Sequence, residues 1–222
     1  MEAPLEEQFK EYAALCQCGM RTVLARIENL RQEMDFSGEY NPYDTIEWRI
    51  KDFGSVEEKL ERKRKPLNIE SIQNNVRDIA GIRITTLFKD DVYKIRDALI
   101  RQPSLEVLEE RDYIAKPKKK GYQSLHLIVA MHVYFRKTTK SVPVEIQIRT
   151  KTIDTWASID HKLRYSYEKD SHGEIATDQE IDKLFSKASD LLKEFDDTIV
   201  EIRRLKEIRK QQELLQSQKP PQ

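Results

Sequence analysis

Hydrophobic positions change period twice along the chain. Leu5, Phe9, Tyr12, Leu15, Val23, Ile27 and Leu30 recur at about three to four residues, which predicts a helix over 5–33 with Gly19 as a weak point. Ser37-Gly38-Glu39-Tyr40-Asn41-Pro42 predicts a turn that breaks it. A strongly charged second helix is expected over 43–65, stopped by Pro66, with a short helix at 69–75. The period then shortens to two. Strands are expected at 79–88, 105–110, 125–135 and 142–149, with a helix at 91–101 between the first two. In 125–135 the odd positions Leu125, Leu127, Val129, Met131, Val133 and Phe135 share one face. In 142–149 Val142, Val144, Ile146 and Ile148 share a face opposite Glu145, Gln147 and Arg149, and residues 137–141 make these two strands an antiparallel hairpin. Helical spacing returns at 151–167. It returns again at 178–209, where Ile181, Leu184, Ala188, Leu191, Phe195, Ile202 and Leu205 form a long stripe able to pack on the domain or on another subunit. The polar tail 211–222 is expected to fray. The fold class is therefore α/β: a central sheet flanked by helices, with long helices at both ends.

Composition narrows the chemistry. With 222 residues and 38% hydrophobic content the chain can bury a single domain-sized core. Its longest nearly apolar stretch, 125–135, is too short to span a bilayer, so no membrane is expected. The first residues lack a basic and an apolar segment of secretory type, and Cys16 and Cys18 make no disulfide framework, so the expected compartment is the cytoplasm. The six glycines never approach within 15 residues of one another, which excludes Walker, kinase and dinucleotide glycine loops. The four histidines form neither an HExxH pair nor a His-Asp dipeptide, which removes zincin and HD-type hydrolase readings. Charge is balanced, 39 Lys+Arg to 39 Asp+Glu, but it is segregated. Residues 1–48 hold four basic and ten acidic side chains, 49–65 seven basic and four acidic, and 111–126 five basic and one acidic. Two basic segments in a neutral chain suit either a local anion site or a pair of solvated faces.

The alternating strands present candidate chemistry. Asp78 precedes a strand holding Gly81, where the missing side chain lets a ligand or a neighbouring backbone approach, and Arg83 follows. Glu145, Gln147 and Arg149 share a face whose reverse is apolar; such a face is either a site or a wet surface. Two carboxylates from adjacent strands suit Mg²⁺, which leaves room for phosphate oxygens. Arg49, Lys51, Lys59, Arg62, Lys63 and Lys118-Lys119-Lys120 supply the side-chain cations that would replace a glycine loop. Tyr122, beside Gly121 in the second basic run, can stack on a purine or serve as an ordinary loop tyrosine.

Four motifs occur in order: Arg77-Asp78-Ile79-Ala80-Gly81-Ile82-Arg83; Arg111-Asp112-Tyr113-Ile114-Ala115-Lys116-Pro117-Lys118; Gly121-Tyr122-Gln123-Ser124-Leu125-His126; and Val144-Glu145-Ile146-Gln147-Ile148-Arg149-Thr150. The last is followed by Trp156-Ala157-Ser158-Ile159-Asp160-His161-Lys162-Leu163. Over about 49–167 this resembles the synthetase domain of the RelA/SpoT alarmone enzymes, in the single-domain form called small alarmone synthetases. The resemblance implies a mixed sheet related to nucleotidyltransferases. It also implies transfer of pyrophosphate from ATP to the 3′-hydroxyl of GDP or GTP, giving ppGpp or pppGpp and AMP in the stringent response.

Carried over by motif position, Asp78 and Glu145 would be the catalytic Mg²⁺ carboxylates, with Glu145 accepting the hydroxyl proton. Arg49 and Arg83 would sandwich adenine, and Lys51, Ser55 and Lys59 would hold the ATP phosphates. Tyr122 would stack on guanine, Lys118 and His126 would meet the acceptor's phosphates, and Gln147 would support the acceptor ribose or the metal site. The chain is expected to divide into a helical region at 1–40, a catalytic domain at 41–170, an amphipathic helix at 171–210 and a tail at 211–222. The resemblance implies synthesis without hydrolysis, and it favours a tetramer among homo-oligomers. Gln123 stands where many small synthetases have arginine, which leaves the choice between GDP and GTP open. The alternatives are a regulatory protein of the same fold that senses nucleotide or binds single-stranded RNA, for which the basic runs and Tyr122 are suited, and a synthetase with adenosine acceptors.

Overall fold

The computed structural model describes residues 3–38, 40–103, 105–117, 121–170 and 178–217. The elements run α1 (Leu5–Ser37), β1 (Thr45–Ile50), α2 (Phe53–Arg62), α3 (Ile69–Asn75), β2 (Ala80–Thr86), α4 (Lys89–Ile100), β3 (Glu106–Asp112), β4 (Leu125–Phe135), β5 (Thr138–Thr150), α5 (Lys151–Asp170) and α6 (Asp178–Ser217). The five strands lie in the order β1-β2-β5-β4-β3. Only the β2–β5 pair is parallel. The sheet is thus mixed, and the fold class read from the hydrophobic pattern holds.

One face of the sheet is the core. Ala80, Ile82 and Ile84 stand beside Val144, Ile146 and Ile148, which stand beside Val129, Leu127 and Leu125. All nine are buried. Helix α1 lies on this face through Phe9, Tyr12, Leu15, Met20, Val23 and Ile27, and α4 adds Val92, Ile95 and Leu99 to the same cluster. A Cβ at Gly19 would overlap the Val142 side chain and touch Val133 and Met131, so the site read as a weak point is where α1 presses on the hairpin. Each large side chain removed from water here contributes about 1.5–3 kcal/mol, which fixes the register of the central strands.

One expected element is wrong. The helix expected over 43–65 is a strand followed by a shorter helix, β1 and α2. Ile46, Trp48 and Ile50 alternate, but β1 is an edge strand with four of its six residues exposed, so its charged residues masked the period of two. The helix starts only where Asp52 caps it, its carboxylate accepting from the Ser55 amide at 2.8 Å. The strand pairs antiparallel with β2, from Thr45 opposite Thr85 to Ile50 opposite Ala80.

Helix α6 docks on a different face from the one its apolar stripe suggested. Leu184 is 67% exposed, and Leu191, Phe195, Ile202 and Leu205 are also exposed. The inward stripe lies one residue later: Phe185, Ser189, Leu192, Asp196, Ile199 and Arg203. Its polar members all find partners. Ser189 meets Gly121, Asp196 accepts from the Thr150 hydroxyl at 2.6 Å, and the Arg203 guanidinium donates to buried Asp91 at 2.9 Å while lying over the rings of Tyr40 and Phe88. The Trp156 indole adds a bond to the Phe185 carbonyl. Helix α6 continues to Ser217, past the start of the segment expected to fray, and 218–222 lie outside the described residues. No helix among the described residues is long and apolar enough to cross a membrane.

Candidate active site

The reverse face of the sheet carries the chemistry. The parallel register sets Gly81 opposite Glu145 and Arg83 opposite Gln147, and the antiparallel neighbours set Arg49 opposite Gly81 and His126 opposite Gln147. Opposed residues share a face, so Arg49, Arg83, Glu145, Gln147 and His126 converge although they come from four strands. A cleft of about 460 Å³ opens there, lined by Glu47, Arg49, Asp78, Arg83, Glu145 and Gln147 among others. A Cβ at Gly81 would meet nothing within 4 Å, so the floor of the cleft is open where the two carboxylate-bearing segments come together. A larger groove of about 680 Å³, between α1, α3 and the β4–β5 hairpin, holds no paired carboxylates.

On the β1–α2 side the site is ionic. Asp78, in the turn before β2, accepts from Lys51 at 2.8 Å and Lys59 at 2.6 Å. Burial alone would raise its pKa, but the two ammonium groups outweigh burial and bring it down to about 2. The other oxygen, Oδ1, is buried without a hydrogen-bond partner, which leaves a lone pair aimed at something the protein does not supply. Ser55 lies in the first turn of α2, its hydroxyl donating to Asp52 at 2.7 Å. Arg49 is exposed on the edge strand. Arg83, on its diagonal, contacts Glu47 and Asp154, both at 3.5 Å.

The β4–β5 side works with an imidazole, an amide and aromatic rings. Glu145 Oε1 lies 3.2 Å from His126 Nδ1, and Oε2 accepts from the Gln147 amide at 2.7 Å. Burial would raise the Glu145 pKa, yet these two neighbours lower it below the usual carboxylate value, so the group is ionised near neutrality. His126 Nε2 meets the Tyr122 hydroxyl at 2.9 Å. The rings of Tyr113, Tyr122 and His126 pack edge to face with centroids 5.2–6.2 Å apart. Burial pushes the Tyr122 phenol up, so it stays protonated.

The structure therefore brings together Asp78, Lys51 and Lys59 in one group and Glu145, Gln147, His126 and Tyr122 in another, with Arg49 and Arg83 along the same cleft. Lys118 lies outside the described residues. Three neighbours escaped the sequence reading. Tyr113 completes the aromatic trio, and its place inside the second motif was the available signal. Arg149 is buried beside Arg83 and pairs with Asp154. Its alternation with Glu145 was visible, but nothing local announces Asp154, which arrives from α5.

A profile of the region found in RelA and SpoT proteins matches residues 48–170, more than half of the chain. The chain belongs to the RelA/SpoT family. Its relatives include the GTP pyrophosphokinase YjbM of Bacillus subtilis, 31% identical over 199 residues that cover 89% of this chain and 90% of the relative. The GTP pyrophosphokinase YwaC of the same bacterium is 37% identical over 141 residues, covering 64% of this chain and 67% of the relative. Among solved structures, the small alarmone synthetase 1 of Bacillus subtilis bound to its product pppGpp superposes with a TM-score of 0.79 at 30% identity, covering 89% of this chain and 97% of that one. The RelA/SpoT match begins at Trp48 on β1 and ends at Asp170 on α5, so it takes in the cleft lining except Ile46 and Glu47 at the start of β1.

Proposed function

We propose that this RelA/SpoT-family chain transfers the β,γ-pyrophosphate of ATP to the ribose 3′-hydroxyl of GDP or GTP, releasing AMP and forming ppGpp or pppGpp. The observation that carries the proposal is one cleft with a carboxylate on each side: Asp78 among lysines, Glu145 among a histidine, an amide and aromatic rings. Phosphoryl transfer asks the protein for positioning and charge neutralisation, and this cleft is built for both.

The β1–α2 side suits the donor. Lys51 and Lys59 can turn from Asp78 to phosphate oxygens, Ser55 stands at the N-terminal turn of α2 where backbone N–H groups favour an anion, and Arg49 and Arg83 offer flat guanidinium faces for adenine. The other side suits the acceptor. The Tyr122 ring offers guanine a stacking surface, His126 faces the acceptor's phosphates, Gln147 steadies Glu145, and Lys118 is assigned to those phosphates by its motif position alone. Ionised Glu145 accepts the proton as the 3′-oxygen bonds to the β-phosphorus of ATP and the bond to the α-phosphate oxygen breaks, with AMP leaving. Mg²⁺ fits the donor set: Asp78 has an unpartnered buried oxygen, Glu145 is ionised across the cleft, and a cation of this kind takes one or two carboxylates with phosphate oxygens. When bound it would neutralise the charge on the transferred group.

The outward apolar stripe of α6 supports a homo-oligomer, with a tetramer favoured by the family resemblance, and the cytoplasm is the compartment where these nucleotides are held. The half-buried Tyr122, bonded to His126, suits a single base in a pocket better than a strand of RNA.

The test is anion-exchange analysis of products after incubation with Mg²⁺, ATP and, separately, GDP, GTP, GMP, ADP or water. A guanosine tetra- or pentaphosphate with stoichiometric AMP supports the proposal and ranks the acceptors. Adenosine products alone would overturn the base assignment, and no product from folded protein would overturn the reaction.

A further inference from the structure

Residues 121–124 carry Tyr122 between two supports. On one side, Ser124 donates its hydroxyl to the Ile148 carbonyl of β5 at 3.2 Å and its own carbonyl accepts from the Tyr113 amide at 2.9 Å. On the other side lies α6. Gly121 adopts a left-handed conformation with φ of 85°, and its backbone sits so close to the helix that a Cβ there would overlap the side chain of Ser189 and stand 3.6 Å from the Cα of Ser186. The Ser189 hydroxyl donates to the Gly121 carbonyl and accepts from the Gln123 amide at 3.2 Å. Ser189 is fully buried and Gln123 nearly so, which makes this a dry two-bond lock between the segment and the helix. The small residues Ser186 and Ser189 on α6 are what allow so close an approach.

The direction of Gln123 matters. Its side chain is turned to α6, and it does not line the cleft that holds Asp78 and Glu145. A residue at this position next to Tyr122 invites a role in reading the acceptor, yet its amide is already committed to Ser189.

The geometry points to Ser189 of the C-terminal helix as a positioning residue for the acceptor: with Gln123 it fixes the backbone of 121–123 so that the Tyr122 ring stands ready for the base and its hydroxyl reaches His126. The inference rests on the assignment of Tyr122 to the guanine nucleotide. Ser189 touches neither nucleotide, and its effect belongs to acceptor affinity and not to ATP or to the chemical step.

Steady-state kinetics of the full chain test this with ATP and GDP varied in turn. Ser189→Ala should raise the KM for GDP about tenfold while the KM for ATP and kcat stay within about threefold, as expected when a buried hydrogen bond that orders one substrate's segment is lost. Gln123→Leu, which roughly keeps the volume and removes the amide with its bond to Ser189, should raise the GDP KM about threefold and leave the ratio of GDP to GTP use unchanged. If Ser189→Ala fails to fold, the same split in Gln123→Leu decides. Equal shifts in both KM values, or no shift in either, overturn the positioning role while the proposed reaction stands. A changed GDP to GTP ratio in Gln123→Leu also overturns it, since Gln123 would then touch the nucleotide. A wild-type chain that makes no guanosine tetraphosphate overturns the proposed function and this inference with it.

Discussion

The two sides of the cleft hold their carboxylates by different means. Asp78 is held by two ammonium groups that draw its pKa down to about 2, whereas Glu145 is held by an imidazole, an amide and the aromatic packing behind them. Lysines on flexible stems are point charges that can change partner from Asp78 to an arriving triphosphate with little loss. A ring stacked on rings cannot move so freely, and a base that must be recognised by its face needs a surface already in place. The ionic side is therefore built to exchange partners, and the aromatic side to stay put, tied as it is to α6 through Ser189 and Gln123.

Glu145→Gln breaks the comparison most severely. It keeps the shape and turns the base into an amide, and kcat should fall by about 10²–10⁴ with the melting temperature nearly unchanged, measured by AMP release and thermal unfolding. Next comes Tyr122→Ala, which should weaken GDP by about 1–3 kcal/mol and spare the KM for ATP. Lys59→Met should do the reverse, raising the KM for ATP about tenfold and leaving that for GDP alone, as loss of one charge-assisted contact to phosphate would. Equal effects of these two variants on both substrates would erase the distinction between the sides. The smallest effect is on stability. The folded pKa of Asp78 lies below its ordinary value of 3.8, so its contribution is full above that pH and is lost as pH falls toward 2. Unfolding free energies from urea titration at pH 5 and pH 2.5 should therefore differ more for the wild type than for Asp78→Asn, by on the order of 2 kcal/mol.

Much of this was legible before any tertiary contact was known. The alternation in 125–135 and 142–149 located the two central strands, and it put Glu145, Gln147 and Arg149 on the face that forms the cleft. Four motifs in order pointed to the family that the RelA/SpoT match over residues 48–170 shows. Where the reading failed, polar residues stood at positions that a local rule assigns to solvent. In β1 the alternation of Ile46, Trp48 and Ile50 was present, but an edge strand keeps its charges and reads like a helix surface. In α6 the apolar stripe, broken only at Thr198, was taken as the seam, while the helix docks through a neighbouring stripe in which every second member is polar.

The sequence by itself determined what repeats over a few residues: the strands, the long helices, and the side chains able to neutralise phosphate or stack on a base. These follow from backbone periodicity and side-chain chemistry, which are local. Only the tertiary structure decided which polar groups meet. Lys51 and Lys59 reach Asp78 from 27 and 19 residues away, and Ser189 meets Gln123 across 66. A hydroxyl or a carboxylate reads the same in a sequence whether it faces water or a partner. Its burial, and with it the direction in which it acts, is set by the neighbours that folding brings.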